Sequence, residues 1–225
     1  MPKVLDTPLE ISPGFFANLV ALWAGMSWLS GRQHPGRPWP TRLLVGAVAG
    51  IALVLADVGH ACAHSVSARL AGAPMDRIKL SSGMPRTIYD DEDVPPRTHR
   101  MRAMGGPIFS AWGLVASLLV RAITPRKSIA HEVANWSSIG HGLIFAGSLA
   151  PLPIVDGGSL LKWTLVDHGR TTDEADRIVQ QAGVATGIAA TSAGVAFATQ
   201  RRWLPALGLI AAGLVAIGSA LGKIR

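Results

Sequence analysis

Two histidines set four residues apart inside an apolar stretch are the side chains best placed to do chemistry. They are His60 and His64, the ends of the pentapeptide HACAH. Residues four apart on an α-helix are separated by about 400° of rotation, so both imidazoles lie on one helix face. This spacing suits two ligands of a tetrahedral zinc ion.

The residue after the first histidine determines what such a pair can do. In the zinc-hydrolase motif H-E-x-x-H, a glutamate at this position takes a proton from metal-bound water. Here the position holds Ala61, whose methyl group cannot move a proton. The sequence therefore predicts a metal-binding pair without the usual general base, and no catalytic residue is assigned.

Asp57 is a second ionisable group on the same helix face, one turn before His60. Ionisable groups at membrane depth are costly, so they usually face the protein interior and mark a site. We expect Asp57 to orient a histidine ring through a hydrogen bond. Accepting a proton through a water molecule is the alternative. The single cysteine, Cys62, excludes an intrachain disulfide and is assigned to packing.

A carboxylate that follows a proline-interrupted apolar stretch is the candidate third metal ligand. This residue is Asp156, with Pro151 and Pro153 before it and Gly157 and Gly158 after it. Irregular backbone at membrane depth is tolerated only where it is buried in protein or lines a cavity. An aspartate there can point inward at a metal ion. A helix end capped at the membrane interface is the alternative.

The composition indicates that these residues belong to a membrane protein. Of the 225 residues, 49% are hydrophobic and 16% are charged, and the mean hydropathy is +0.33. Because a span needs about 20 residues, we predict an all-α, polytopic membrane helical bundle with about six transmembrane helices. These helices are expected to form one integral domain, 1–225. The predicted spans are 15–30, 43–68, 104–120, 136–152, 181–200 and 203–221.

Positive charge lies mainly at the ends of these spans. The net charge is +7, and lysines and arginines cluster beside the apolar segments. Such residues anchor a protein to anionic headgroups, so we expect contacts with membrane lipid and no nucleic acid. Asp6 and Glu10 precede the first apolar run, so no cleaved signal peptide is predicted. The expected location is the cell membrane of a prokaryote.

Two polar segments carry local structural signals. Residues 76–80 and 86–89 alternate polar and apolar side chains, which predicts a short β-hairpin after the second helix. Further along, Thr171 and Glu174 fit a capping box that starts a helix. We therefore predict a C-terminal helix pair over residues 171–225.

The order and spacing of these residues resemble the site-2-protease family of intramembrane zinc metalloproteases. That family carries H-E-x-x-H on one membrane helix, G-P-x-x-N on the next, and N-x-x-P-x-P-x-L-D-G on a later one. The sequence GPIFS, from Gly106 to Ser110, is similar to the second motif. The resemblance covers residues 43–165. It implies that His60, His64 and Asp156 bind zinc.

The departures from the family pattern concern the groups that act on a substrate. Ala61 replaces the catalytic glutamate, and serines stand at both asparagine positions. The family's asparagines are thought to engage an extended substrate strand, so clamping of a substrate is expected to be altered. Three such departures favour a degenerate relative. The candidate substrate-groove residues are Gly106, Pro107, Ser110 and Ser148.

The function expected from these features is that of a pseudoprotease. It would bind zinc in the membrane and hold a transmembrane client segment without cutting it. A slow metalloprotease, in which Asp57 or a water chain replaces the missing base, is one alternative. A metal or proton transporter and a structural membrane protein without metal are the others.

The remaining histidines are not assigned to the site. His141 lies in the fourth predicted span, and the sequence does not decide which way its side chain points. The other four are predicted to be solvated in loops: His34, His99, His131 and His168.

Overall fold

A computed structural model describes residues 2–223 of the chain; Met1, Ile224 and Arg225 lie outside the described part. Within it the chain forms seven helices and four short strands. The strands are β1 (Lys3–Val4), β2 (Thr7–Ile11), β3 (Arg77–Leu80) and β4 (Arg86–Ile88). The helices are α1 (Pro13–Gln33), α2 (Trp39–Leu70), α3 (Pro96–Ile123), α4 (Ile129–Ser148), α5 (Asp156–Asp167), α6 (Thr172–Thr199) and α7 (Trp203–Ala220).

The long helices make this an integral membrane protein. In the described residues, α2, α3, α6 and α7 are long and apolar enough to cross a membrane. The other two predicted spans, 15–30 and 136–152, coincide with α1 and most of α4. The all-α membrane bundle predicted from composition is confirmed, together with its small β element.

The described chain divides into two compact units. The first comprises Met1–Asp93 and Met104–Ala146, and the second comprises Val94–Ala103 and Gly147–Arg225. Helix α3 begins in the second unit and continues into the first. The single domain proposed from the sequence stays a prediction.

A four-stranded sheet in the first unit has the order β1-β2-β3-β4. Strands β3 and β4 pair antiparallel, with Arg77 opposite Ile88, so the predicted hairpin is confirmed. The sequence did not predict β1 and β2, which join through Leu5 and Asp6 with φ of 48° and 59°. Positive φ at both central residues is typical of a tight hairpin turn. Strand β2 also pairs parallel with β3. A pairing between such distant segments cannot be predicted from the residues of either strand alone.

The sheet is fixed to α2 by a buried polar contact and an apolar cluster. The hydroxyls of Thr7 and Ser65 are 2.6 Å apart, and both side chains are almost completely buried. Beside them, Ala61 and Ala68 of α2 pack with Ile78 and Leu80 of β3. Helix α2 is therefore buried against the sheet on one side, which leaves its histidine face free to meet other helices.

In the second unit, α6 and α7 form a tightly packed pair. Helix α6 starts with the predicted capping box, in which the Thr171 hydroxyl accepts from the Glu174 backbone N–H and the Glu174 carboxylate accepts from the Thr171 backbone N–H. A Cβ at Gly187 or Gly194 would overlap atoms of α7. The predicted helix pair is therefore present in the described residues up to 223.

Candidate metal centre

The two histidines of α2 lie at the spacing of zinc ligands. Because α2 is continuous from Trp39 to Leu70, His60 and His64 share a face as predicted. Their rings are 4.9 Å apart at 77°, and their Nε2 atoms are 3.2 Å apart. Two nitrogens bound to zinc at about 2.0–2.1 Å with tetrahedral angles would be about 3.3–3.4 Å apart. The pair therefore needs little movement to bind a zinc ion.

Gly106 of α3 provides the space in front of these two nitrogens. A Cβ at this position would overlap the Nε2 atoms of both His60 and His64. At the neighbouring Gly105, a Cβ would overlap the carbonyl oxygen of Ala63. Two glycines thus allow α3 to approach the histidine face closely. The glycine at position 106 satisfies one requirement of a metal site, since α3 places no Cβ against the two donor nitrogens.

Ser110 lies one turn after Gly106 on the same face of α3. It is completely buried, and its Oγ is 2.9 Å from Nδ1 of His60. The sequence placed Gly106, Pro107 and Ser110 in a substrate groove. In the structure the glycine faces the histidine donors, the proline is fully buried inside the helix, and the serine contacts a histidine ring.

Asp57 is directed to a different surface. Together with Asn18 and Ser81, it lines a cleft of about 70 Å³ between α1, α2 and the β3–β4 turn. Among residues 2–223, the structure gives its carboxylate no hydrogen bond or ion pair. The hydroxyl of Ser110, rather than Asp57, contacts Nδ1 of His60.

Ala61 is part of the apolar core rather than of the open space. Its side chain is 2% exposed and packs in the cluster that includes Ile78 and Leu80. The position that carries the general base in H-E-x-x-H enzymes therefore holds a methyl group packed beneath the sheet.

In the second unit, Asp156 begins α5 after an irregular turn. Helix α4 ends at Ser148, which is buried, and α5 starts at Asp156 with Val155 as its N-cap. The turn between them folds back closely on α5, because a Cβ at Gly157 or Gly158 would overlap carbonyl oxygens of the turn. The predicted break in the helix is present. A carboxylate in the first turn of a helix is also favoured by the helix dipole.

His141 is a buried histidine whose position the sequence left open. Its ring lies where a Cβ at Gly113 would be and contacts Phe109, with ring centroids 5.8 Å apart. In the described residues its Nδ1 has no hydrogen-bond partner. Gly113 lies seven residues, or two helical turns, after Gly106 on the same face of α3. This spacing is the sequence signal that could have indicated a further histidine packed against α3.

Two of the histidines predicted in loops are in helices, so these predictions were wrong. His99 is in the first turn of α3, because Pro96 starts the helix there. Its ring stacks on Trp163 at 3.7 Å between centroids. His131 is in the first turn of α4.

The chain is similar in sequence to a curated protein whose name describes a zinc metalloprotease. No family model matches it. A protein of two Mycobacterium tuberculosis strains, named "Putative zinc metalloprotease Rip3", is 29% identical over 208 residues. The match covers 83% of this chain and 52% of the relative, so the chain spans about half the length of the curated relatives that it matches.

The fold is similar to that of a solved protease structure. The site-2 protease from Methanocaldococcus jannaschii superposes with a TM-score of 0.61 at 17% identity. The superposition covers 100% of this chain and 94% of the archaeal chain. Both relatives are prokaryotic, in agreement with the expected location. The chain is therefore a site-2-protease-like integral membrane protein, related in sequence to a zinc metalloprotease and sharing the site-2-protease fold.

Proposed function

We propose that this protein is an intramembrane pseudoprotease, which binds one zinc ion and holds a transmembrane client segment without cutting it. His60, His64 and Asp156 would be the zinc ligands. Zinc is commonly bound by two histidines and one carboxylate, and a bound zinc lowers the pKa of water and polarises carbonyl groups.

The observation that carries the proposal is the arrangement of the histidine pair. Both Nε2 atoms face the gap at Gly106, and their separation of 3.2 Å is close to that of zinc ligands. The two histidines offer nitrogen donors of the kind that zinc prefers, and Asp156 is the carboxylate that the resemblance to the family implies as the third ligand. The similarity to a zinc metalloprotease supports zinc over other metals.

The absence of a base at position 61 supports a role other than efficient hydrolysis. The Ala61 side chain is apolar and packed in the core. Losing a general base typically lowers the rate by about 10²–10⁴-fold. A zinc site that retains its ligands can still contact a polar group of a client. The client is expected to be a membrane segment, because the histidines lie in a membrane-spanning helix.

Metal analysis of detergent-purified protein tests the zinc site. We expect about one zinc per chain, with a sharp fall in His60→Ala and in Asp156→Ala. His168→Ala is the matched control, because this exposed histidine lies at the end of α5. A metal-free parent protein, or equal zinc in His60→Ala and His168→Ala, would refute the proposed ligands.

Cleavage assays test the pseudoprotease role. The parent protein and a model single-span transmembrane peptide are reconstituted together in liposomes with zinc. We expect the peptide to remain intact and to co-purify with the parent protein. Chelator-sensitive cleavage by the parent protein would overturn the pseudoprotease assignment.

A slow metalloprotease is the second candidate function, and the state of Asp57 favours it. This carboxylate lines a cleft one helical turn before His60, and the described residues give it no hydrogen bond. In this candidate, a water chain from that cleft would carry the proton to Asp57. Slow, chelator-sensitive cleavage by the parent that disappears in Asp57→Asn would support this candidate.

A further inference from the structure

We propose that Ser110 is a positioning residue that fixes the orientation and tautomer of His60 for metal binding. This inference rests on the zinc site proposed above. The family motif has asparagine at this position, where this chain has a serine. The hydroxyl of Ser110 contacts the ring of a proposed ligand, and its assignment to a substrate groove stays a prediction.

The contact is on the opposite edge of the ring from the proposed metal. Ser110 Oγ is 2.9 Å from Nδ1 of His60, while Nε2 of the same ring is 3.2 Å from His64 Nε2. A neutral imidazole carries one N–H and one lone pair, on different nitrogens. When Nδ1–H donates to the serine oxygen, the lone pair is on Nε2 and faces the gap at Gly106.

Burial makes this contact hard to replace. Ser110 is completely buried, so bulk water cannot take over from its hydroxyl. Removing the hydroxyl takes this acceptor away from Nδ1 of His60 and removes one restraint on the rotation of the ring. Residues that hydrogen-bond the far nitrogen of a ligand histidine commonly change metal affinity by about 10–100-fold.

Helix α3 thus presents two functions on one face, one turn apart. Gly106 leaves room in front of Nε2, and Ser110 holds the ring from behind through Nδ1. Residues separated by four positions on a helix are neighbours on its surface. Asp57 does not take this role, because among residues 2–223 its carboxylate forms no hydrogen bond.

Zinc competition titrations on the full-length protein in detergent test the proposal. We expect Ser110→Ala to bind zinc roughly 10–100-fold more weakly than the parent, with the number of zinc ions per chain unchanged. Ser110→Thr keeps the hydroxyl and should recover most of the affinity. Ser117→Ala is the matched control: Ser117 is also a buried α3 serine, and its hydroxyl bonds the Gly113 carbonyl and Ser137.

Two readouts separate positioning from a general loss of structure. The visible spectrum of bound Co²⁺ should change in Ser110→Ala and remain parental in Ser117→Ala. The melting temperature without metal should fall equally in both variants. Equal zinc affinity in Ser110→Ala and Ser117→Ala would overturn the positioning role. A parent protein that binds no zinc would instead refute the proposed function.

The tautomer of His60 can also be measured directly in the parent protein, so that this test does not depend on the folding of a Ser110 variant. In ¹⁵N-histidine-labelled, metal-free protein, we expect the His60 signals, assigned by their loss in His60→Gln, to show the ring proton on Nδ1, which contacts Ser110. A ring protonated at Nε2 alone would contradict the proposal.

Discussion

Gly106→Ala is the substitution that most directly tests the geometry of the metal centre. The added methyl group would occupy the space faced by the Nε2 atoms of His60 and His64. Because both donors are affected at once, the variant should lose zinc binding although neither ligand is changed. Gly142→Ala in α4 is the matched control, since its Cβ would make only an ordinary contact of 3.7 Å with Leu114.

The expected effect on stability has two parts. Without metal, alanine favours a helix interior over glycine by about 0.5–1 kcal/mol, while overpacking costs about 1–3 kcal/mol. Gly106→Ala should therefore be destabilised by up to about 2.5 kcal/mol, whereas Gly142→Ala should be slightly stabilised. With zinc at about 100 times its Kd, a binding-competent protein gains about 2.7 kcal/mol. Gly106→Ala should not show this gain.

Thermal unfolding in detergent, with a chelator and with excess zinc, measures both parts. We expect a zinc-dependent rise in melting temperature for the parent and for Gly142→Ala, and none for Gly106→Ala. If Gly106→Ala keeps the full zinc-dependent rise, the space beside this glycine is not where the metal binds, and the reasoning fails.

Three further substitutions test other parts of the structure. Ala61→Glu should unfold more easily by about 1–3 kcal/mol, because the side chain enters a packed core; unchanged thermal unfolding would contradict this. Glu132→Gln should cost about 3–5 kcal/mol, because it leaves the guanidinium of Arg37, 2.7 Å away, without its buried partner. The double variant Arg37→Met/Glu132→Leu should lose less unfolding free energy than Glu132→Gln alone. A larger loss in the double variant, measured by chemical unfolding, would refute the argument. Thr171→Ala should lower the free energy of unfolding by about 1 kcal/mol, because it removes the N-cap of α6. Thr172→Ala is the control, and an equal loss of stability in that variant would exclude a capping effect.

Features with a local cause were predicted well. Long apolar runs must become helices in a membrane, since only internal hydrogen bonding satisfies the backbone there. Alternating polar and apolar residues predicted the hairpin of β3 and β4. A capping box predicted the start of α6 at Thr172. Each of these signals involves residues within a few positions of one another.

Features that depend on distant contacts were missed or assigned differently. The parallel pairing of β2 with β3 joins residues that lie about seventy positions apart, such as Leu9 and Ile78. One local signal was also missed: His99 was placed in a loop because the helix start at Pro96 was not recognised. The contact of the Ser110 hydroxyl with the His60 ring joins residues fifty positions apart, and the sequence analysis did not predict it.

The order of the amino acids is enough to show that two imidazoles share one helix face in a membrane and that no carboxylate follows the first. Helical periodicity and residue identity are sufficient for both conclusions. The tertiary structure decided which groups surround the pair: Gly106 opens the space at the donors, Ser110 holds one ring, and Ala61 packs beneath the sheet. Those contacts depend on how α3 and the sheet pack against α2, and packing between distant segments is not encoded in any local pattern.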